Sequence, residues 1–314
     1  MKIFLHKSKI INKIRLFFHE RNILEVDTPS LSRNTVTDSN LFPFKTFFKL
    51  ENDTDKKLPL WLVTSPEYHM KRLLSKGIGP IYQICHSFRN SEYGKNHNHE
   101  FLMLEWYLPF YDMFELMYEV NIFLQEILNC RKAEIISYKK IFIKYLNINP
   151  FDPDLKRITK VSKKLGIHSS ILKEKDFKSI FDSLFFLGIE PYIGKYNPIM
   201  VYHFPYWHSS LAKLNFNDFR LSDRFEVYFK GLELGNGFCE LIDYYEQKER
   251  FKQDIIDRNK KKLSTVKIDY RFLNVLKNKL PPCSGIAIGL DRLIMIILGL
   301  KNIRDVIYFN FNNC

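Results

Sequence analysis

Three separated stretches of the sequence carry charged side chains beside glycines or aromatic residues, a combination that suits phosphate and amine chemistry. The first stretch, SFRNSEYGKNHNHEFLMLEWY (87–107), contains Arg89. A guanidinium on a rigid strand could bind a phosphate in a bidentate way, although an exposed strand arginine is the simpler alternative. Phe101 could pack in the core, or its ring could lie against a purine. Histidines at irregular spacing, without a cysteine pair nearby, make a structural metal centre an unfavourable interpretation.

The second stretch, GLELGNGFCEL (231–241), places Glu233 and Glu240 on either side of a glycine-rich turn. Two carboxylates that are brought together repel each other, and a divalent cation removes that repulsion. The alternative is a β-bulge flanked by two solvated glutamates. This stretch alone leaves both interpretations open.

The third stretch, GIAIGLDR (285–292), has very small side chains at Gly285, Ala287 and Gly289. These residues would clear one face of a strand, so a flat ligand could lie there with Arg292 as a second cation. Close packing of a strand against the following helix would explain the same glycines.

Together the three stretches offer two arginines, paired carboxylates and a strand lined by small residues. This inventory suits a nucleoside triphosphate with Mg²⁺ on an antiparallel sheet. The common phosphate-binding loops are excluded, because the sequence contains neither GxxxxGK[ST] nor a kinase glycine loop. No Ser/His/Asp or Cys/His signature indicates a covalent nucleophile.

Local patterns predict the elements that would position these residues. Strand-like segments at 80–90 and 99–107, linked by the polar stretch between them, predict a long-looped hairpin. Ser65 is a candidate N-cap, and Pro66 suits the first turn of the helix that follows. The predicted fold is α+β, with an antiparallel sheet flanked by helices.

Further patterns indicate the organisation of the chain. Helical spacing appears first at Ser8 to Arg21, with Ser8 as a possible cap. Asp112 and Glu115 form an acidic capping pair before another helix. Residues from about 130 to about 200 mix short helical patterns with prolines, and we expect a small helical insertion there within one domain spanning 1–314.

The composition bounds the class of protein. With 314 residues, 46% of them hydrophobic, the chain can bury a sizeable core. No apolar run is long enough for a membrane span, and charges interrupt the N-terminal apolar run, so we expect no signal peptide. The five cysteines are scattered, which favours a reducing, cytoplasmic location. The net charge of +13 fits either an acidic partner such as nucleic acid or compositional drift towards lysine.

At this point the motifs resemble those of the class II aminoacyl-tRNA synthetases. FFHERNILEVDTPSLS (17–32) resembles motif 1, FRNSEYGKNHNHEFLMLEWY (88–107) resembles motif 2, and GIAIGLDRLIMIILG (285–299) resembles motif 3. TSPEYHMKRLL (64–74) and ELGNGFCEL (233–241) indicate the lysyl branch.

A subgroup of that family is more similar still. VTDSNL (36–41), VYHFP (201–205) and RFEVYFKGLELGNGF (224–238) resemble the elongation factor P–lysine ligases, paralogues of lysyl-tRNA synthetase that lysylate a translation factor. Motif 1 begins close to Met1, so we expect no anticodon-binding domain before it and no tRNA partner.

The resemblance implies a function. The expected reaction is activation of (R)-β-lysine, or lysine, by ATP as an aminoacyl adenylate. Its transfer to a lysine ε-amino group of elongation factor P would follow, with release of AMP. The implied cofactors are ATP and Mg²⁺, and Pro29 of motif 1 implies a homodimer.

The same resemblance implies roles for individual residues. Arg89 and Arg292 would be catalytic, and Glu233 with Glu240 would bind Mg²⁺. The expected ATP-binding residues are Arg89, Asn90, Ser91, Glu92, Asn98, Phe101, Glu233, Leu234, Gly289 and Arg292. The expected amino-acid-binding residues are Ser65, Pro66, Glu67, Tyr107, Glu240 and Ala287, where Ala287 replaces a glycine of the synthetases and would help to shape a β-lysine pocket.

Two motifs depart from the family pattern. The Arg-x-Glu of motif 2 is here Arg89-Asn90-Ser91, so Glu92 would replace the usual glutamate only if the loop shifts by one residue. ELANGFHEL is here ELGNGFCEL. The alternatives to the implied function are a minimal synthetase acting on tRNA or a small molecule, and a degenerate regulatory module.

Overall fold

The computed structural model describes residues 2–50, 53–168, 177–277 and 280–314. They form two compact units, the first made of the described residues up to 111 and from 240 onwards, and the second of those between 112 and 239. The single domain expected for 1–314 stays a prediction.

The described residues contain helices and strands with the following bounds. The α-helices are α1 (Lys2–His19), α2 (Glu67–Leu74), α3 (Met113–Leu128), α4 (Tyr138–Leu146), α5 (Leu155–Lys164), α6 (Phe177–Gly188), α7 (Tyr244–Lys260), α8 (Tyr270–Leu273) and α9 (Leu290–Ile297). The strands are β1 (Leu24–Glu25), β2 (Leu31–Ser32), β3 (Lys45–Leu50), β4 (Asp53–Leu62), β5 (Ile81–Phe88), β6 (Glu100–Pro109), β7 (Glu134–Ser137), β8 (Ile199–Tyr202), β9 (Arg224–Phe229), β10 (Leu232–Cys239) and β11 (Cys283–Gly289).

Within the first unit, four strands lie in the order β1-β5-β6-β11. The pairs β5–β6 and β6–β11 are antiparallel, whereas the short β1 runs parallel to β5. A separate antiparallel sheet has the order β2-β4-β3. The predicted hairpin and the α+β class are therefore confirmed.

Helix α1 begins at Lys2, so the cap predicted at Ser8 was wrong. The residues before Ser8 have side chains that tolerate a helix, and nothing in that segment breaks one. The buried face of the helix consists of Ile14, Phe17 and Phe18. The ring of Phe18 stacks on Tyr82 of β5 with 4.2 Å between centroids, which anchors the helix to the sheet.

In the second unit, four strands lie in the order β10-β9-β8-β7, with β7 and β8 parallel. Asp112 and Glu115 form the predicted capping box at the start of α3. The expected helical insertion contains α4, α5 and α6, together with the unpredicted strand β7, while residues 169–176 lie outside the described residues. Its core is rich in aromatic side chains, including Tyr138, Phe142 and Phe185.

None of the helices described in either unit has the length and apolar character that crossing a bilayer requires.

Candidate active site

A buried amine lies between two carboxylates in the first unit. Lys71 follows Glu67 by one turn of α2, and its Nζ lies 2.5 Å from Glu67 Oε1. Spacing of four residues puts both side chains on one face of the helix. The same Nζ contacts the carboxylate of Glu240. Only 2% of the Lys71 side chain and none of the Glu240 side chain is exposed, so this ion pair is shielded from water.

A third carboxylate, Glu105 on β6, belongs to the same group. Ser65 Oγ donates a hydrogen bond to Glu105 Oε2 at 2.6 Å, and the Tyr107 hydroxyl donates to Glu105 Oε1 at 2.5 Å. Ser65 Oγ also accepts from the backbone N–H of Glu67 at 3.1 Å. Helix α2 begins at Glu67 and its N-cap is Pro66, so the cap predicted at Ser65 was wrong by one residue. Ser65 lies two residues before the helix, and its hydroxyl joins the start of α2 to Glu105.

Tyr107 connects the two halves of this group. Its ring centroid lies 5.9 Å from Lys71 Nζ, within the range of a cation–π contact. We call Ser65, Glu67, Lys71, Glu105, Tyr107 and Glu240 the amine pocket.

The charge state of the amine pocket is tuned by burial. Burial, then repulsion from Glu67, raises the pKa of Glu105 to about 7. Burial also raises the pKa of Glu240 to about 8, although the Lys71 ammonium acts in the opposite direction. For Lys71, burial opposes the charge, but Glu240 and Glu67 outweigh it and raise the pKa. The pocket thus keeps its ammonium and holds part of its carboxylate charge as bound protons near neutral pH.

Small residues on β11 form one wall of the amine pocket. In the β6–β11 register Gly285 lies opposite Tyr107, and Ala287 lies opposite Glu105. A Cβ added at Gly285 would overlap the Tyr107 ring and would lie 3.1 Å from Glu240 Oε1. Glycine is therefore required for Tyr107 and Glu240 to meet over this strand. The methyl group of Ala287 shares the strand face with Glu105, consistent with its expected role in shaping the pocket.

This arrangement can bind a ligand that carries two positive charges. Three carboxylates surround one lysine, so the fully ionised pocket has two negative charges in excess. A buried charge is costly unless it is paired. A ligand with two ammonium groups supplies the missing partners and displaces the protons.

Arg89 lies at the end of β5, beside the ring expected to face a purine. Its guanidinium carbon lies 5.1 Å from the centroid of Phe101. Nη1 lies 3.5 Å from Glu92 Oε1, and the two side chains are 27% and 30% exposed. The backbone N–H of Arg89 donates to His99 O at 2.8 Å, which closes the base of the loop. A partly exposed guanidinium on an anchored backbone is suited to phosphate binding.

Arg292 is held against the same loop. Its Nε donates to Asn96 O at 3.1 Å, and Nη2 lies 2.6 Å from His97 Nε2. The aliphatic part of Arg292 lies over Gly289, where an added Cβ would come within 3.6 Å of Cδ. Asn98 is buried and donates from Nδ2 to Glu100 O at 2.7 Å, so it fixes the start of β6.

The residues at the Arg-x-Glu departure have defined positions. Ser91 adopts a positive φ of 70°, and its N–H donates to Asn90 Oδ1 at 2.9 Å. The Asn90 N–H donates to Phe42 O. Glu92 pairs with Arg89, so a substitute adenine contact by Glu92 requires that this ion pair open.

Glu233 and Leu234 belong to the second unit. The pairing of β10 with β9 shifts between Glu233 and Gly235, so the bulge considered from the sequence is present. Leu234 is buried in that strand. The nucleotide role expected for both residues stays a prediction.

The chemistry of the carboxylates fits a cation. Glu240 Oε1 is buried and accepts no hydrogen bond from the described residues. Carboxylate oxygens are the donors that Mg²⁺ takes in proteins. Within the described ranges, no group of three or more His, Cys, Asp or Glu side chains has metal-binding geometry. The role of Glu233 and Glu240 in holding Mg²⁺ stays a prediction.

Two members of the amine pocket were missed from the sequence. Lys71 was assigned no role from the sequence, although its spacing from Glu67 could have indicated a shared helix face. Glu105 is separated from Phe101 and Tyr107 by even numbers of residues along an apolar strand. Side chains at such positions lie on the same face of the sheet, which could have indicated that Glu105 faces the site. Pro66 is near the group only as the residue before α2.

Comparison with known proteins identifies the family. The family described as tRNA synthetases class II (D, K and N) matches residues 1–313. Three curated relatives carry the name elongation factor P–(R)-β-lysine ligase. The relative from Buchnera aphidicola subsp. Acyrthosiphon pisum (strain APS) is 53% identical, and the match covers 99% of this chain and 95% of the relative. The relative from Pectobacterium atrosepticum is 49% identical, with 98% of this chain and 94% of the relative covered. The relative from Salmonella typhi is 47% identical, with 97% and 94% covered in the same order.

The matches cover almost the whole of both chains, and the motif resemblances lie within them. The chain belongs to the class II tRNA synthetase family.

Proposed function

We propose that this protein uses ATP to activate (R)-β-lysine, or lysine, and transfers the lysyl group to a lysine side chain of elongation factor P. The names of its relatives support the substrate and the acceptor. The observation that carries the proposal is the amine pocket, in which Glu67 and Glu240 already enclose the buried ammonium of Lys71.

In this proposal five of the six amine-pocket residues, all except Lys71, act on the amino-acid substrate. Glu67, Glu105 and Glu240 pair with the two ammonium groups of the substrate. The hydrogen bonds from Ser65 and Tyr107 hold Glu105 in one orientation, so little conformational freedom is lost when the ammonium binds. The methyl group of Ala287, opposite Glu105, shapes this wall of the pocket for an amino group displaced by one carbon.

The nucleotide lies towards Arg89 and Phe101. Arg89 binds the α-phosphate, and Phe101 and Arg292 hold the two faces of the adenine. A guanidinium on one face and an aromatic ring on the other provide stacking and cation–π attraction. Because Gly289 has no side chain, the aliphatic part of Arg292 can pack over it. The loop around the nucleotide is shaped by Asn90, Ser91, Glu92 and Asn98.

The chemistry then has two steps. A carboxylate oxygen of lysine attacks the α-phosphorus of ATP, forming the acyl phosphate bond while pyrophosphate leaves. The ε-amine of the acceptor lysine next attacks the acyl carbon, forming an amide while AMP leaves and the amine loses a proton. Arg89 and Arg292 stabilise the charge that develops on the phosphates, and positioning provides the rest of the catalysis.

Mg²⁺, which Glu233 and Glu240 would hold, supplies charge neutralisation at the phosphates when it is bound.

The decisive experiment is mass spectrometry of elongation factor P after incubation with the enzyme, ATP and either (R)-β-lysine or α-lysine. One lysyl group should be added to the factor, and omitting ATP should prevent it. A Glu105→Gln variant should be strongly impaired, because it keeps the size and shape of the side chain but loses the negative charge. Lysine that is transferred to tRNA and never to the factor would refute the proposal. Absence of lysine-dependent ATP–pyrophosphate exchange by folded protein would favour a regulatory module.

We also propose a homodimer and a cytoplasmic location, where translation factors are found. Leu24 and Leu31 in the motif 1 segment are about half exposed, which supports an apolar contact with a second copy. Light scattering coupled to size-exclusion chromatography should give twice the mass of the 37.6 kDa chain.

A further inference from the structure

Asp291 connects three elements of the first unit. It lies in the first turn of α9, directly before Arg292, and is only 2% exposed. Its Oδ1 accepts from Lys7 Nζ of α1 at 2.8 Å, and its Oδ2 accepts from the backbone N–H of Leu102 in β6 at 2.7 Å. Both oxygens of this buried carboxylate are therefore used, each by a different element.

The bond to Leu102 continues the pairing of β6 where the sheet ladder ends. The β6–β11 register finishes at the pair Gly289 and Met103. The preceding residue on β6, Leu102, gives its N–H to Asp291 instead. This side chain therefore sets the position at which α9 starts against β6.

The two joined positions are the neighbours of the proposed base-binding pair. Leu102 follows Phe101 in the chain, and Asp291 precedes Arg292. The stem of Arg292 lies over Gly289, so its guanidinium cannot easily compensate for a shift of the helix start. A change at the Asp291–Leu102 bond would alter the gap between the Phe101 ring and the Arg292 guanidinium.

We propose that Asp291 is a positioning residue for the purine of ATP, because its bond to Leu102 fixes the spacing of Phe101 and Arg292. This inference rests on the proposed function, which makes ATP the substrate and these two residues its base-binding pair. Asp291 itself touches no substrate in this mechanism.

A variant of Lys7 distinguishes the positioning of the purine from a general contribution of Asp291 to stability. The Lys7 side chain is 22% exposed, so it can turn to water when the ion pair is lost. Lys7→Met removes the ion pair and keeps the bond to Leu102. Asp291→Ala removes both, and Asp291→Asn removes the ion pair while replacing a charge-assisted bond to Leu102 with a weaker neutral one.

The test measures lysine-dependent ATP–pyrophosphate exchange for the wild type and the three variants. Asp291→Ala should raise the KM for ATP about tenfold and Asp291→Asn about threefold, in line with the loss or weakening of one charge-assisted bond. The KM for lysine should stay unchanged in both. Inorganic tripolyphosphate, which has no base, should inhibit every variant with the same inhibition constant. Lys7→Met should lower the melting temperature and leave the KM for ATP unchanged.

Three results would overturn the inference. They are an unchanged KM for ATP in Asp291→Ala, equal KM values in Asp291→Asn and Lys7→Met, and weaker inhibition by tripolyphosphate in parallel with weaker ATP binding. If Asp291→Ala does not fold, the comparison of Asp291→Asn with Lys7→Met decides. A wild type without exchange activity would refute the proposed function instead, and calorimetry of ATP binding to the same variants would then decide the role of Asp291.

Discussion

Lysine binding should weaken when the pH falls from about 8 to about 6, because Glu105 must be ionised to pair with an ammonium group. Burial and then repulsion from Glu67 raise the pKa of this carboxyl to about 7. At about pH 6, releasing its proton costs about 1.4 kcal/mol, or about tenfold in Kd, whereas at about pH 8 the cost nearly vanishes. Glu240, with a pKa of about 8, acts in the same direction, so the Kd for lysine should rise by at least about tenfold.

The assay is isothermal titration calorimetry of lysine at several pH values and in two buffers with different ionisation enthalpies. Binding at about pH 7 should release protons, because bound ammonium groups replace protons on the carboxyls. Glu105→Gln is the matched control. In this variant the increase in the Kd for lysine between about pH 8 and about pH 6 should be about tenfold smaller than in the wild type. At about pH 8 the variant should bind lysine more weakly by about 1.5–3 kcal/mol, because a hydrogen bond to a charged group is lost.

An affinity for lysine that is constant over this pH range, without proton release, would refute the reasoning.

The stability of the protein without lysine should also depend on pH. Its Glu105 has a pKa above the ordinary 4.5, so folding takes up a proton. The free energy of unfolding should therefore fall as the pH rises from about 4.5 through about 7, and saturating lysine should reduce that loss.

Three further predictions concern individual side chains. Lys71→Met should lower the free energy of unfolding by about 3–5 kcal/mol in urea denaturation at about pH 8, because it leaves Glu240 without its buried partner, and unchanged stability would contradict this ion pair. Gly285→Ala should lower the free energy of unfolding by about 1–3 kcal/mol, since the new methyl group displaces Tyr107. It should also raise the KM for lysine but not that for ATP, and equal effects on both substrates would argue against β11 as a wall of the amine pocket. Asp112→Ala should cost about 1 kcal/mol through loss of the capping box on α3 while ATP–pyrophosphate exchange persists, and a loss of exchange would show that this cap matters for catalysis.

Local sequence patterns predicted those elements whose stability is decided locally. The hairpin of β5 and β6 combines two strand-like segments with a polar connection, and the Asp112–Glu115 capping box is a signal contained within four residues. The start of α1 was misplaced at Ser8, because a possible cap is not used when the preceding residues continue the helix.

The amine pocket could be predicted only in part. Four members, Ser65, Glu67, Tyr107 and Glu240, were expected from family motifs. The sequence did not indicate that Lys71 would lie between the carboxylates of Glu67 and Glu240. Charged residues such as Lys71 and Glu105 are usually exposed, so their burial depends on partners that are distant in the chain. The bond between Asp291 and Leu102 spans 189 positions and has no local signature.

The charge balance of the amine pocket sets a rule for changing its substrate. With Lys71 in place, the pocket lacks two positive charges, and a ligand with one ammonium group would leave a buried carboxylate to be protonated or unpaired. A variant meant to accept a neutral amino acid therefore has to lose one carboxylate for each charge that the new side chain lacks, irrespective of its size. Amine-containing buffers and polyamines are, for the same reason, competitors to be kept out of assays of this enzyme.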